Sequence, residues 1–157
     1  MLVDDIAGLR RVLQASRVIA VVGLSASWHR PSYCAAKYMQ EHGYTIVPVN
    51  PGADEILGCR CYPDLASIPH PVDMVDVFRK PQDVPPIAAE AIRIGARCLW
   101  LQLGVISPEA AAQAAQAGLD VVMDRCVKIE HARLFGGLNF AGVNTRVISA
   151  KRPPCPN

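Results

Sequence analysis

Apolar and polar positions alternate along the chain between two patterns. Near-continuous apolar runs rich in β-branched residues read as strands buried on both faces: RVIAVVGL, YTIVPVNP, VDMVDVFRK, ARCLWLQLG and LDVVMDRC. Between them the apolar residues fall at helical spacing. In DDIAGLRRVLQAS, Ile6, Leu9, Val12 and Leu13 share one face behind Asp4 or Asp5 as a cap. A second helix runs from about Pro31 to His42 and leaves through Gly43. A third spans PQDVPPIAAEAIRIG, with Asp83 as cap and Gly95 at the exit. A fourth, SPEAAAQAAQAG, has Ser107 as cap, Pro108 in first position and Gly118 at the exit, and VKIEHARL begins a short last one. Strand and helix alternating at this spacing predict an α/β architecture: an open parallel five-stranded sheet with helices on both faces. Pro51 to Pro71 breaks the rhythm and is expected to be an irregular crossover or a short helix around PDLASI. Residues 135–150 read equally as loop, hairpin or partner surface, and KRPPCPN as a frayed tail.

The 157 residues suit one domain: an N-terminal helix over about 1–17, a core over 18–134 and an extension over 135–157. There is no internal repeat and no linker. Composition, 51% hydrophobic and 19% charged, is that of a globular protein. A net charge of +2 gives no broad basic footprint for nucleic acid, and no apolar run approaches the ~20 residues of a membrane span. MLVDDIAGLR has acids where a signal peptide carries bases, so the expected location is the cytoplasm. The six cysteines are scattered, which fits packing roles in a reducing compartment. Cys59 and Cys61 with His70 nearby lack the spacing and second ligand pair of a zinc site, so no metal is expected.

In an open parallel sheet, ligands bind beyond the carboxyl ends of the strands. Here those ends read Gly23-Leu24-Ser25, Asn50-Pro51, Phe78-Arg79-Lys80, Leu101-Gln102-Leu103 and Asp124-Arg125-Cys126. The first loop is the most informative. Gly23 lets backbone approach a ligand, Ser25 and Ser27 bring hydroxyls, and Arg30, Pro31 and Ser32 open the next helix, whose free amides and dipole favour an anion. The guanidinium of Arg30 fits phosphate oxygens. The loop lacks the second and third glycines of a dinucleotide fingerprint, and the second strand ends in Asn50-Pro51 where an acid would hold a nicotinamide nucleotide's ribose. A nucleotide is thus expected and NAD disfavoured. Arg30, Arg79 and Lys80, with His29 and Lys37 near, suit a more anionic nucleotide such as coenzyme A, which carries a diphosphate and a 3′-phosphate. Phe78, Pro51 and Pro81 are placed to flank an adenine, although Phe78 could equally pack in the core.

The segments VVGLSASWHRPSYCAAKYMQEHGYTIVPVNP, EILGCRCYPDLASIPHPVDMVDVFRK, LWLQLGV and VVMDRCVKIEH, in that order, resemble the small bacterial CoA-binding-domain proteins. These are single Rossmann-like domains related to the CoA-binding domain of the succinyl-CoA synthetase alpha subunit. The resemblance runs from about Val18 to His131. It implies a Rossmann-like fold and a CoA or acyl-CoA site at the strand ends. Gly23, Leu24 and Ser25 match the family's first loop, and Arg30, Pro31 and Ser32 its RPS segment. Asn50 and Pro51 match the second strand end, and Val77, Phe78 and Arg79 the third. Leu101, Gln102 and Leu103 match the position near the CoA thiol, and Cys126 a cysteine close to the synthetase's CoA pocket. The synthetase's phosphorylated histidine belongs to a second domain that this chain lacks, so His131 is not equated with it. The resemblance supports binding and not ligase catalysis.

Asp124, Arg125, Cys126, Lys128, Glu130 and His131 form the densest polar cluster. Cys126 beside Lys128 or Arg125 could exchange with a CoA thiol or disulfide. The preferred reading is a solvated end of a short helix. Asp73 and Asp76, at i and i+3 in a strand, point to opposite faces and make no acid–base pair. Three functions follow: a non-catalytic CoA or acyl-CoA binder; an enzyme, either a nicotinamide-dependent oxidoreductase or a CoA thiol–disulfide exchanger using Cys126; or an interaction protein with a vestigial pocket, docking a partner or another copy through residues 135–150.

Overall fold

In chain order the elements are α1 (Ile6–Ala15), β1 (Val18–Val22), α2 (Pro31–Glu41), β2 (Thr45–Val49), β3 (Glu55–Ile56), β4 (Cys59–Arg60), β5 (Met74–Val77), α3 (Val84–Arg93), β6 (Cys98–Leu101), α4 (Pro108–Gln116), β7 (Asp120–Val122) and α5 (Val127–His131). These come from a computed structural model, which describes residues 1–136. The expectations for the rest of the 135–150 segment and for the tail lie outside the described residues.

The five apolar runs form one parallel sheet in the order β2-β1-β5-β6-β7. The fold is the expected Rossmann-like α/β sheet. Alternation within each strand divides the core in two. Ile19, Val21, Ile46, Met74 and Trp100 face α1, α2 and α5 through Leu9, Val12, Leu13, Ala35, Ala36, Met39 and Val127. Ala20, Val47, Val75, Leu99 and Val121 face α3 and α4, whose inner residues are mostly alanine: Ala88, Ala91, Ala110, Ala111 and Ala114. Small residues there let the helices lie close on a β-branched sheet. Trp100 is fully buried, and its indole N–H donates to the carbonyl of Arg125 at 2.8 Å.

Helix ends follow the sequence with one exception. Asp5 accepts the amide of Gly8 at 3.0 Å, and Ser107 that of Ala110 at 3.4 Å, as side-chain caps should. Asp83 makes no capping bond: α3 is entered through a 3-10 turn, Pro81–Asp83, that leaves its carboxylate 3.8 Å from Arg79.

The Pro51–Pro71 crossover contains the expected short helical turn, Leu65–Ser67, capped by Asp64. It also contains a feature not anticipated, the antiparallel hairpin of β3 and β4. Its turn uses Leu57 and Gly58, both at positive φ (56° and 76°), the twist that closes a two-residue hairpin.

Both sheet edges carry additional pairing. Leu2 bridges Val121, and the amide of Val3 donates to the Val121 carbonyl at 2.7 Å. At the opposite edge Tyr62 bridges Val49 and donates to the carbonyl of Pro48 at 3.0 Å. Among the described residues no helix is long and apolar enough to cross a membrane.

Candidate functional site

The strand order reverses between β1 and β5: from β1 the chain passes outward to β2, then returns to β5 on the other side. Loops leaving the two strands diverge there and open a crevice at their carboxyl ends. The crevice is a cleft of about 920 Å³, near the top of the size range of small-molecule sites.

Its centre depends on Gly23. That residue sits at φ +88°, and a Cβ there would lie 2.4 Å from the carbonyl oxygen of Phe78. Only glycine lets the β1 and β5 loops pass this closely. The following loop is closed by its own hydroxyls. The amide of Ser25 donates to Ser32 Oγ at 3.0 Å, and the amide of Ser27 to Ser25 Oγ at 3.0 Å. Asn50 ties in the β2 end by donating to the carbonyl of Leu24 at 2.9 Å. Ser32, expected at the anion-favouring start of the helix, is buried and acts first as the clasp of the loop; its hydroxyl hydrogen remains available.

Helix α2 begins at Pro31 without a side-chain cap. Among the described residues the amides of Ser32 and Tyr33 find no acceptor. Arg30, Pro31 and Ser32 at this helix start line the cleft, so the positive end of the helix dipole lies beside it. Arg79 and Lys80 line it from the β5 loop, Arg79 being half-exposed beside Asp83. His29, Lys37 and Pro81, expected nearby, are not part of the lining.

Beneath the rim lies a polar connection that the sequence did not suggest. Asp76, flanked in the sheet by Val21 and Trp100, is fully buried. Burial pushes its carboxyl up to about 7, while a hydrogen bond from Gln102 works the other way. The Gln102 amide N–H donates to Asp76 Oδ1 at 2.5 Å, and its carbonyl accepts the Val127 amide at 3.4 Å, joining β5 to the start of α5. Gln102 also lines the cleft. The available signal was an acid inside an otherwise apolar strand, MVDV.

The cluster from Asp124 to His131 is not a solvated helix end. The carboxylate of Glu130 is buried and pairs with Arg125 at 3.6 Å and with Arg133; Arg125 also holds Asp4 at 2.7 Å. His131 is buried among the rings of Tyr38, His42, Tyr44 and Phe135, and its Nδ1 lies 3.0 Å from the Tyr38 hydroxyl. Burial, reinforced by His42, pulls its pKa down to about 4. Lys128 stays exposed, with its ammonium over the Tyr38 ring. Cys126 carries a free thiol and lines the cleft. Among the described residues no three His, Cys, Asp or Glu side chains gather as metal ligands would.

The structure brings together Gly23, Ser25, Arg30, Pro31, Ser32, Asn50, Pro51, Phe78, Arg79, Gln102, Leu103 and Cys126 around one cleft. It does not bring in the side chains of Leu24, Val77 and Leu101, which are buried in the core. Val77 and Leu101 face α3 and α4, whereas their neighbours Phe78 and Gln102 turn to the cleft; strand alternation separates them. Lining residues absent from the expected set are Val105 and Ile129, which sequence patterning gave no reason to separate from core positions, and Asp83, which read as a helix cap.

The sequence model of a family described as CoA binding domain matches residues 17–132. The chain is 41% identical over 126 residues to the uncharacterized protein YneT of Bacillus subtilis, which covers 80% of this chain and 93% of that protein. It is 35% identical over 79 residues to an ADP-forming acetate–CoA ligase II of Archaeoglobus fulgidus, covering 49% of this chain but 12% of the ligase. Among solved structures, a hypothetical protein from Pyrococcus horikoshii OT3 matches with a TM-score of 0.82 and 38% identity, over 85% of this chain and 94% of that one.

Proposed function

The chain belongs to the CoA binding domain family, and on that premise we propose that it binds coenzyme A or an acyl-CoA in the cleft at the β1/β5 switch point, without turning it over. The observation that carries the reading is that the uncapped start of α2 and the cations Arg30, Arg79 and Lys80 line one cleft. The diphosphate takes the amides of Ser32 and Tyr33, the Ser32 hydroxyl and the guanidinium of Arg30. Arg79 and Lys80 supply the further positive charge that a 3′-phosphate requires. The adenine lies against Phe78 and Pro51, and the pantetheine arm runs toward Gln102 and Cys126. Leu24, Val77 and Leu101 serve by holding the backbone of the rim in place. Binding without chemistry fits the way the polar groups are engaged: Asp76 with Gln102, Asp83 with Arg79, and Ser25 with Ser27.

Calorimetric titration of the purified protein with CoA, NAD and ATP tests this. CoA is expected to saturate one site, and Arg30→Ala to weaken it by about tenfold, the loss of one charge-assisted contact of about 1.4 kcal/mol. NAD binding with no response to CoA would overturn the reading. A second reading rests on the free thiol of Cys126 in the same cleft: its thiolate attacks a CoA disulfide, forms a protein–CoA mixed disulfide and releases CoA thiol. Intact-mass analysis after incubation with CoA disulfide, with Cys126→Ser as control, detects or dismisses that adduct.

A further inference from the structure

The chemistry lining the cleft is not uniform. Its cations, Arg30, Arg79 and Lys80, come from the loops after β1 and β5. The next wall in the sheet order is built after β6 and around α5, and there the lining is Leu103, Val105 and Ile129 with Gln102 and Cys126 among them. Leu103 is 65% exposed and Ile129 54% exposed, although they belong to different elements and line one cleft. A single exposed leucine needs no explanation, but two large apolar side chains lining one cleft, with Val105 on the same loop as Leu103, do.

The polar atoms at this end are largely engaged. The Gln102 side chain donates to Asp76 and accepts from the Val127 amide. The nearest basic residues of α5 and its approach point elsewhere: Arg125 holds Asp4 and Glu130, and Lys128 lies over Tyr38. A ligand matching the whole cleft therefore has an anionic end and an uncharged apolar end. In free CoA the uncharged pantetheine arm reaches this end of the cleft but stops in a small thiol, so an acyl group is what extends apolar surface further along the leucine and isoleucine.

We propose that the cleft takes a CoA thioester of an aliphatic acid, with its acyl chain lying along Leu103, Val105 and Ile129. This rests on the reading that the cleft binds CoA and deepens it by naming the class of acyl group. Each methylene laid on the wall displaces water from apolar surface on both partners. A carboxylate at the end of the acyl chain would lose hydration there without gaining a cation.

Calorimetric titration of the full chain against CoA, acetyl-CoA, butyryl-CoA, hexanoyl-CoA and succinyl-CoA tests the assignment. Affinity is expected to rise about two- to fourfold per added methylene, with succinyl-CoA no tighter than acetyl-CoA. In Leu103→Asn and Ile129→Asn the gain with chain length is expected to shrink, read as the ratio of hexanoyl-CoA to CoA affinity within each variant. Both positions are exposed, so the exchanges leave the core intact. CoA binding with no dependence on chain length, succinyl-CoA binding tightest, or an unchanged ratio in both variants would overturn the acyl assignment while leaving the CoA site standing. If no member of the series binds, the CoA reading falls as well.

Discussion

Two buried titrating groups, on different elements, oppose each other in their effect on stability. Asp76 ordinarily titrates at 3.8 and is held at about 7 in the fold. His131 ordinarily titrates at 6.5 and is held at about 4. For Asp76, the unfolded chain loses its proton first as pH rises, so stability falls between about pH 4 and about pH 7 and then levels off. At about 1.4 kcal/mol per pH unit the full loss is up to about 4 kcal/mol. For His131 the unfolded chain takes up a proton first as pH falls, so its contribution is complete above 6.5 and is lost on the way down to about 4, up to about 3 kcal/mol. Over their common window the slopes are opposite and nearly equal, and they cancel in the native protein. Asp76→Asn keeps an acceptor for Gln102 and removes the charge; relative to the native protein it should gain stability as pH rises from about 4 to about 7. His131→Phe keeps a ring among Tyr44, His42 and Phe135, and its stability relative to native should fall over the same range. Urea unfolding at a series of pH values from about 4 to about 8, followed by circular dichroism, reads both differences; exposed groups common to all three proteins drop out of the subtraction. Differences that stay constant with pH, or an Asp76→Asn variant that loses ground as pH rises, would refute the reasoning.

Gly23→Ala should lower the unfolding free energy by about 2 kcal/mol or more, since it meets both an unfavourable φ and the Phe78 carbonyl; thermal melts read the loss. Asp124 sits at φ 62° and its Oδ1 accepts the Gly104 amide at 2.7 Å, tying the β7 end to the loop that carries Leu103. Asp124→Ala should therefore cost about 1–2 kcal/mol, while Asp124→Asn, which tolerates the conformation and keeps the acceptor, should stay within about 0.5 kcal/mol in the same melts.

The five strands and four longer helices were legible because each rests on a local signal that nothing in the tertiary structure opposes: β-branched runs, a capping Asp5 or Ser107, a glycine at the exits of α2, α3 and α4. The hairpin of Glu55–Ile56 and Cys59–Arg60 was not, because two-residue strands carry no periodicity and the first turn position is a leucine, which rarely adopts positive φ. Most of the cleft could be placed from the rule that ligands lie at strand ends. What that rule leaves open is face: Val77 and Phe78, or Leu101 and Gln102, are neighbours in sequence that point to opposite sides of the sheet. Asp76 and His131 escaped because their environments are made by distant chain. Asp76 lies between Val21 and Trp100, and His131 among rings supplied largely by α2 and the residues after it.

The extra pairing at the two margins of the sheet has a consequence for how copies of this molecule can meet. At one margin Leu2 and Val3 occupy the rim of Val121, and at the other Tyr62 occupies Val49 while Pro48 offers no N–H. Among the described residues neither flank presents a long unpaired ladder to a neighbour, so ribbons that grow strand upon strand have little to nucleate on there. Crowding or partial heating should drive association through helical surfaces instead, and deleting the first three residues would remove that guard from one flank.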